Sequence, residues 1–335
     1  MEIIERGWTT TDIERLYRIQ DRVKSKKTLL NAEERGEIPT ASRVLRGKVP
    51  VRQWKVGQLP AIGERFGFLS KPKSQKIICL YTPKGGVLKT SFAYNLARIL
   101  ALNGIKTLII GLDFQCSITS YALGKEPVDS LDKMPTKTRG LYHYFNEKLS
   151  DIKPLILNTA LHTLDILPEV PEIFALDKKL RLENRNEYLF IDKFINQLSG
   201  YQVIIFDNGP SWNKLVENSL TASNIVISPM GCEPESYEAL QTNFDIIFEF
   251  QRALKLEWEH FVQIPTLLEK TNISQQIYAA YLNLYGNRVI SFPIRRSVTG
   301  QDARVSNHSV IEQDSSSPLA QDYYDAIENI WERIN

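Results

Sequence analysis

From residue 76 onward, short apolar runs alternate with segments in which apolar positions recur every three or four residues. Lys76 to Tyr81, Thr107 to Leu112, Tyr201 to Phe206, Asn224 to Ser228 and Phe261 to Thr266 read as strands, with Asn287 to Phe292 as a last one. Lys89 to Asn103 reads as a helix: Phe92, Leu96, Ile99 and Leu100 share a face, and Gly104 ends it. Tyr188 to Leu198 is a second helix. Leu319 to Ile334 is a third, with Tyr323, Ala326, Ile327, Ile330, Trp331 and Ile334 in one stripe. That stripe suits core packing, or a partner helix. Between Lys125 and Ile195 the pattern weakens, and the strand at Leu164 to Leu167 is short. The alternation implies an α/β fold with an open, doubly wound, mainly parallel sheet and helices on both faces.

The first 70 residues follow another pattern. Thr11 and Glu14 fit a capping box ahead of Ile13, Leu16, Tyr17 and Val23. A second helix spans Thr28 to Arg35, Gly36 offers a turn, and Ala41 to Arg46 is a short third helix. Together they form a helix-turn-helix pattern, with Ala41 to Arg46 as recognition helix. Val49 to Lys55 is extended, with Arg52 and Lys55 around Trp54, as in a wing against a phosphate backbone. Leu59 to Phe66 closes the segment as a helix. A dimerisation arm with exposed Arg residues fits the same pattern. The polar, Pro-containing stretch at 71–76 reads as a linker. The expected division is a helical DNA-binding domain at 1–70 and a larger domain at 77–335.

Charge sharpens this division. Residues 1–76 hold 17 Lys and Arg against 9 Asp and Glu, and the remainder holds 24 against 30. A basic segment ahead of an acidic body suits nucleic acid, or merely a solvated surface. Of 335 residues, 43% are hydrophobic and 24% charged, which excludes a mainly disordered or fibrous chain. No apolar run approaches the length of a membrane span. The amino terminus, acidic from Glu2, lacks the apolar stretch of a secretory signal. Cys79, Cys116 and Cys232 have no metal-ligand spacing and suit a reducing cytoplasm.

The strongest chemical signal is Lys84-Gly85-Gly86-Val87-Leu88-Lys89-Thr90-Ser91, set between a strand and a helix. Glycines there let backbone N–H groups close around phosphate oxygens, and the helix start adds its positive dipole end. Lys89 suits the β- and γ-phosphates, and Thr90 a Mg²⁺ ion.

This run resembles the deviant Walker A motif, K-G-G-x-G-K-[ST], of the ParA/MinD family of P-loop ATPases. Gly111-Leu112-Asp113-Phe114-Gln115-Cys116-Ser117-Ile118-Thr119 is similar to the family's D-x-D-P-Q-G-x-x-T segment, and Tyr201 to Ser211 to its strand ending in D-x-x-P-S. Pro229 to Leu240, Lys270-Thr271-Asn272 and Ile294 to Val298 match further segments, so the resemblance covers residues 75–335. The first 70 residues resemble the winged, MerR-like helix-turn-helix extension of plasmid-type members.

The resemblance implies a P-loop NTPase fold, ATP and Mg²⁺ as ligands, and an ATP-bound homodimer in which Lys84 reaches the partner's nucleotide. It implies that Lys84, Lys89 and Asp113 act in hydrolysis, with Asp113 positioning the attacking water. Thr90 and Asp207 would hold Mg²⁺, Asp207 through water. Gly85, Gly86, Val87, Leu88 and Ser91 complete the nucleotide loop. Arg296 lies in the segment where the family contacts DNA. Arg43, Arg46, Arg52 and Lys55 would bind operator DNA. The implied role is plasmid or chromosome partition by a cytoplasmic, nucleoid-associated ATPase. Its activity would be weak until stimulated by a ParB-like centromere-binding adaptor, and it could autoregulate its operon. Two alternatives remain: a transcriptional regulator with a degenerate ATPase module, and a relative that positions a non-DNA cargo. The final helix is acidic, which disfavours a membrane partner.

The chain departs from the family pattern at four points. Leu88 stands where the loop usually has Gly, Gly111 where it has the first Asp, Phe114 where it has Pro, and Cys116 where it has Gly. Slow hydrolysis or reduced nucleotide affinity is the expected consequence.

Overall fold

The computed structural model describes residues 7–22, 28–123, 138–297 and 308–335, and the backbone alone for 239–243. Five consecutive strands of the sheet run parallel, from β4 to the β9 edge: β3 (Lys76–Leu80), β4 (Thr107–Gly111), β7 (Val203–Asp207), β8 (Ile225–Gly231) and β9 (His260–Thr266). At one edge β6 (Leu164–Leu167) adds in parallel and β5 (Leu157–Asn158) antiparallel, giving the order β5-β6-β4-β7-β3-β8-β9. The sheet is the expected doubly wound α/β architecture. Its inner strands are buried along their length because both faces are covered, which explains their nearly unbroken apolar runs.

The helices of the described residues follow in chain order. Those before β4 are α1 (Thr10–Leu16), α2 (Ile19–Arg22), α3 (Thr28–Glu34), α4 (Leu59–Phe66) and α5 (Lys89–Leu102). Next come α6 (Ser117–Leu123), α7 (Leu141–Asn146), α8 (Ile173–Leu180), α9 (Leu189–Lys193) and α10 (Lys214–Ala222). The last four are α11 (Pro234–Leu254), α12 (Asn272–Tyr285), α13 (Val310–Gln313) and α14 (Pro318–Ile334).

Several expectations need correction. The first capping box uses Thr9 and Asp12, two residues before Thr11 and Glu14. The expected recognition helix, Ala41 to Arg46, is a strand instead. Ser42–Arg46 (β1) pairs antiparallel with Val49–Gln53 (β2) through a two-residue turn, Gly47-Lys48, with Gly47 at φ 66°. The short segment has no helix cap, and a Gly turn followed by Val49-Pro50-Val51 favours a hairpin. No helix-turn-helix therefore ends in residues 41–46. The stretch from Val49 is extended as expected, as the second hairpin strand. Tyr188 to Leu198 breaks at Phe194 into α9 and a 3-10 turn, Ile195–Leu198. Asn287 to Phe292 makes only an isolated bridge, Gln263 to Val289, rather than a strand.

The amino-terminal elements share a core with the body that carries the large sheet. Trp8, Ile13, Leu16 and Trp54 belong to the same apolar cluster as α5 and α14. The Tyr17 hydroxyl lies 2.6 Å from the Leu59 carbonyl and 3.0 Å from that of Leu102, the last residue of α5. Asn103 accepts the Phe68 and Leu69 N–H groups at 2.6 and 3.0 Å. Gly63 is required by close approach: a Cβ there would overlap the Leu102 carbonyl oxygen. Tyr324 of α14 donates to the Leu16 carbonyl at 2.7 Å, and Trp331 to that of Ser70 at 2.8 Å.

Candidate nucleotide site

The carboxyl ends of β3, β4 and β7 converge, as expected for ligand sites in open parallel sheets. β3 delivers the glycine loop, β4 delivers Asp113 and β7 delivers Asp207. Gly86 has φ 78°, and a Cβ there would meet nothing within 4 Å. Its requirement is therefore backbone conformation beside open space. Leu88 caps α5 at φ 65°, ψ 23°, the left-handed region that glycine favours. Its side chain packs partly buried against the main core. Leu88 thus supplies by strain the turn that glycine would supply freely.

Lys89 opens α5 and is buried to 7% exposure, with its ammonium on the Lys84 carbonyl at 2.5 Å. Burial pulls its pKa down to about 8, against Asp207 and Asp113, which favour the cation. Asp207 is fully buried at the end of β7. Burial raises its pKa to about 7, with Thr90 and Lys89 opposing. Thr90 is close enough to draw the value down, yet neither Asp207 oxygen completes a hydrogen bond. Two unpartnered buried carboxylate oxygens beside a Thr hydroxyl suit a hard divalent cation, so Thr90 and Asp207 fit Mg²⁺.

Asp113 is half-buried, and its Oδ1 accepts the Gln115 N–H at 3.1 Å. Gly209 packs opposite: a Cβ there would lie 3.3 Å from the Asp113 Oδ1. Cys116 takes φ 52°, so a second residue holds a glycine-like conformation in place of glycine, and Phe114 is 56% exposed. Val87 is buried with its carbonyl accepting from Thr266, so it anchors the loop rather than facing it. Lys84, Thr90 and Ser91 are half-buried, and Gly85 is exposed. A cleft of about 960 Å³ opens beside the loop, lined by Gly86, Leu88, Ser91, Tyr121, Phe292 and Arg296 among others.

Of the expected DNA residues, Arg296 lines this cleft and Arg43, Arg46, Arg52 and Lys55 do not. Arg43, Arg46 and Lys55 are exposed on or beside the hairpin, as is Lys48, and the chain has no carboxylate between Glu37 and Glu64. Arg52 is different: it pairs with Glu33 of α3 at 2.7 Å and ties the hairpin to that helix. Arg296 is held by Glu233 and, at 2.6 Å, by Glu269.

Sequence reasoning missed Glu169. It is buried at 1% exposure and accepts the Asp113 N–H at 3.2 Å. The available signal was Gly111, which leaves room on β4 for a side chain from another strand. Among the described residues no helix is long and apolar enough to cross a membrane.

Residues 75–259 match a family model described as an AAA domain. The sporulation initiation inhibitor protein Soj of Bacillus subtilis is 26% identical over 264 residues, covering 76% of this chain and 98% of Soj. The chromosome partitioning protein ParA of Myxococcus xanthus is 26% identical over 250 residues, covering 74% and 85%. A plasmid partition protein of Borrelia burgdorferi, solved with AMPPNP, superposes with a TM-score of 0.64 at 26% identity, covering 78% of this chain and all of that one. With the glycine loop, the two strand-end aspartates and this sheet order, the chain belongs to the ParA/MinD family of P-loop ATPases.

Proposed function

We propose that the protein is a partition ATPase that dimerises on ATP, binds DNA, and lets go after hydrolysis. The observation that carries this reading is the buried, unpartnered Asp207 carboxylate facing Thr90 and Lys89 at the mouth of the glycine loop. A buried carboxylate with no hydrogen bond to either oxygen is costly even beside Lys89, and a divalent cation held with Thr90 would offset that cost.

In this reading the loop amides and the start of α5 face the phosphates. Lys89 leaves the Lys84 carbonyl and neutralises phosphate charge. Thr90 and Asp207 hold Mg²⁺, which when bound offsets negative charge on the phosphates. Asp113 accepts a hydrogen bond from the attacking water and orients it toward the γ-phosphorus, giving ADP and inorganic phosphate. Lys84 serves the nucleotide of the second protomer. The cleft beside Ser91 and Phe292 takes the base and ribose. The exposed hairpin cations, with α3 behind them, meet DNA phosphates, and base contacts would give operator preference. Arg296 reaches DNA only on release from Glu233 and Glu269. A ParB-like adaptor stimulates turnover, and the nucleoid is the working surface. The names of the relatives, which include chromosome and plasmid partition proteins, support this cargo.

The test measures ATP-dependent dimerisation and DNA binding on one purified sample. Dimerisation with ATP and not ADP, together with ATP-dependent DNA binding, supports the reading. DNA binding indifferent to nucleotide, with no turnover, would instead favour a regulator with an inert nucleotide module, the reading motivated by Leu88, Gly111 and Cys116.

A further inference from the structure

Glu169 has no part in the chemistry above, yet it occupies the wall of the same site. It follows Pro168 at the carboxyl end of β6, on the far side of β4 from Asp207. One oxygen accepts the Asp113 N–H at 3.2 Å. The other lies 3.4 Å from both the Thr119 N and its hydroxyl. The Thr119 hydroxyl oxygen in turn accepts the Glu169 N–H at 2.8 Å. A single carboxylate therefore bridges the start and the end of the loop that runs from Asp113 into α6.

Gly111 makes the room. A Cβ at 111 would overlap the Glu169 Cγ, sit 2.6 Å from its Cδ, and lie 2.7 Å from an Ile118 methyl. Position 111 is also where the motif D-x-D-P-Q carries its first aspartate. Gly111 and the Glu169 carboxylate are thus two halves of one exchange: β4 gives up a side chain, and β6 fills the space. Burial, then Asp207, push the Glu169 carboxyl well above the usual range, and the Thr119 and Asp113 amides draw it back. A carboxyl group held there against such costs serves the groups it bridges.

We propose that Glu169 is a positioning residue for Asp113: it pins both ends of the Asp113–Thr119 loop and so aims the Asp113 carboxylate at the attacking water. The proposal rests on the role of Asp113 given above. A loop freed at both ends loses aim by a fraction of an ångström to an ångström, which costs about 10- to 100-fold in turnover.

The experiment uses the full chain and four variants: Glu169→Ala, Glu169→Gln, Gly111→Asp with Glu169→Ala, and Asp113→Ala. It reads kcat, the KM for ATP, AMPPNP affinity, and hydrogen exchange at the Asp113 and Thr119 amides. Glu169→Ala should lower kcat by about 10- to 100-fold while leaving KM and AMPPNP affinity within about threefold, and speed exchange at both amides. Glu169→Gln keeps the volume and one acceptor oxygen, and should fall between wild type and Glu169→Ala. The double variant returns a carboxylate from β4 but keeps the Ile118 contact, so it should recover part of the lost kcat. Unchanged kcat in Glu169→Ala overturns the proposal. So does an equal loss of AMPPNP affinity, which marks a merely structural role, or exchange that does not change. Wild-type turnover in Asp113→Ala overturns the role of Asp113 itself. That case is told apart because amide exchange still rises in Glu169→Ala.

Discussion

Arg98 of α5 and Glu312 of α13 form a buried ion pair, at 3% and 0% side-chain exposure, with N···O distances of 2.5 and 3.0 Å. Glu312 also caps α13 through the Ser309 N–H and hydroxyl, at 2.9 and 2.6 Å. Breaking the pair from either side should not cost the same. Glu312→Gln strands a guanidinium, which cannot lose its proton, so its penalty is about 3–5 kcal/mol at any ordinary pH. Arg98→Met strands a carboxylate, which escapes by taking a proton. At pH 7 that escape costs about 1.36 kcal/mol for each of roughly 2.7 pH units above the ordinary Glu value of ~4.3, so ~3.7 kcal/mol caps the charge penalty. In Arg98→Met the folded-state pKa of Glu312 is raised, so the folded chain binds more protons and the penalty shrinks as pH falls. The expected slope is ~1.4 kcal/mol per unit, or roughly 2.7 kcal/mol between about pH 7 and 5. In wild type, burial would raise the Glu312 pKa, but Arg98, then His308 and Ser309, more than offset it and hold the value low. The wild-type contribution is therefore complete above ~4.3 and lost only as pH falls through the lowered folded value. Between about pH 5 and 8 this pair leaves wild type flat, and the difference reports the variant. Urea unfolding of the three proteins across that range measures it. A pH-independent Arg98→Met penalty, or a Glu312→Gln penalty below about 1 kcal/mol, would refute the reasoning.

Lys89→Ala should abolish ATP binding in a fluorescent-nucleotide titration, whereas Lys84→Ala should keep binding and lose ATP-dependent dimerisation in sedimentation. Equal affinity in wild type and Lys89→Ala would remove the loop assignment. Leu88→Gly relieves a left-handed residue worth about 1–2 kcal/mol and should raise the hydrolysis rate; an unchanged or lower rate means that the packing of Leu88 already offsets its strain. Arg43→Ala, Arg46→Ala and Lys55→Ala should each lower the slope of log K for DNA against log salt by ~0.9. Arg52→Ala should chiefly loosen the hairpin from Glu33. Salt slopes unchanged from wild type in the Arg43, Arg46 and Lys55 variants would exclude the hairpin from the DNA interface.

The parallel strands were legible because burial on both faces makes them continuous apolar runs, and the loop because its chemistry needs particular residues in order. The hairpin was not. Ser42 to Arg46 alone suits either state, and pairing with Val49–Gln53 decides it. Asn287 to Phe292 has strand composition but gains only one bridge beside β9. Phe194, at φ −142°, ends α9 where the apolar spacing continues, since its ring packs on Phe190 and Tyr144. Glu169 was invisible because its importance is a contact across 58 residues of chain with a missing side chain at Gly111. The roles of Arg52 and Arg296 share this difficulty: sequence shows the cation, and only packing shows the carboxylate already holding it.

Whether residues 1–70 can be removed follows from the same packing. Charge and composition suggest a separable basic module. The contacts argue otherwise, because the segment covers one end of α5 and one face of α14. Without it the Tyr324 hydroxyl loses Leu16, its ring loses Phe68 at 5.3 Å, and the Trp331 indole loses the Ser70 carbonyl. Tyr324 and Trp331 are 1% and 2% exposed. Uncovering two such side chains costs about 3–6 kcal/mol at ~1.5–3 each, a large part of the roughly 5–15 kcal/mol that holds a folded protein together. The phosphate loop sits at the opposite end of α5. A chain starting at Lys71 should therefore aggregate, or melt well below the full chain, even though every nucleotide residue is present. Circular dichroism melts and AMPPNP titration on both chains decide this. A shortened chain that melts within a few degrees of the full one and binds AMPPNP equally well would establish residues 1–70 as an independent domain. The alanine variants on the hairpin surface leave the shared core intact, so a loss of DNA affinity in them is attributable to charge rather than to unfolding.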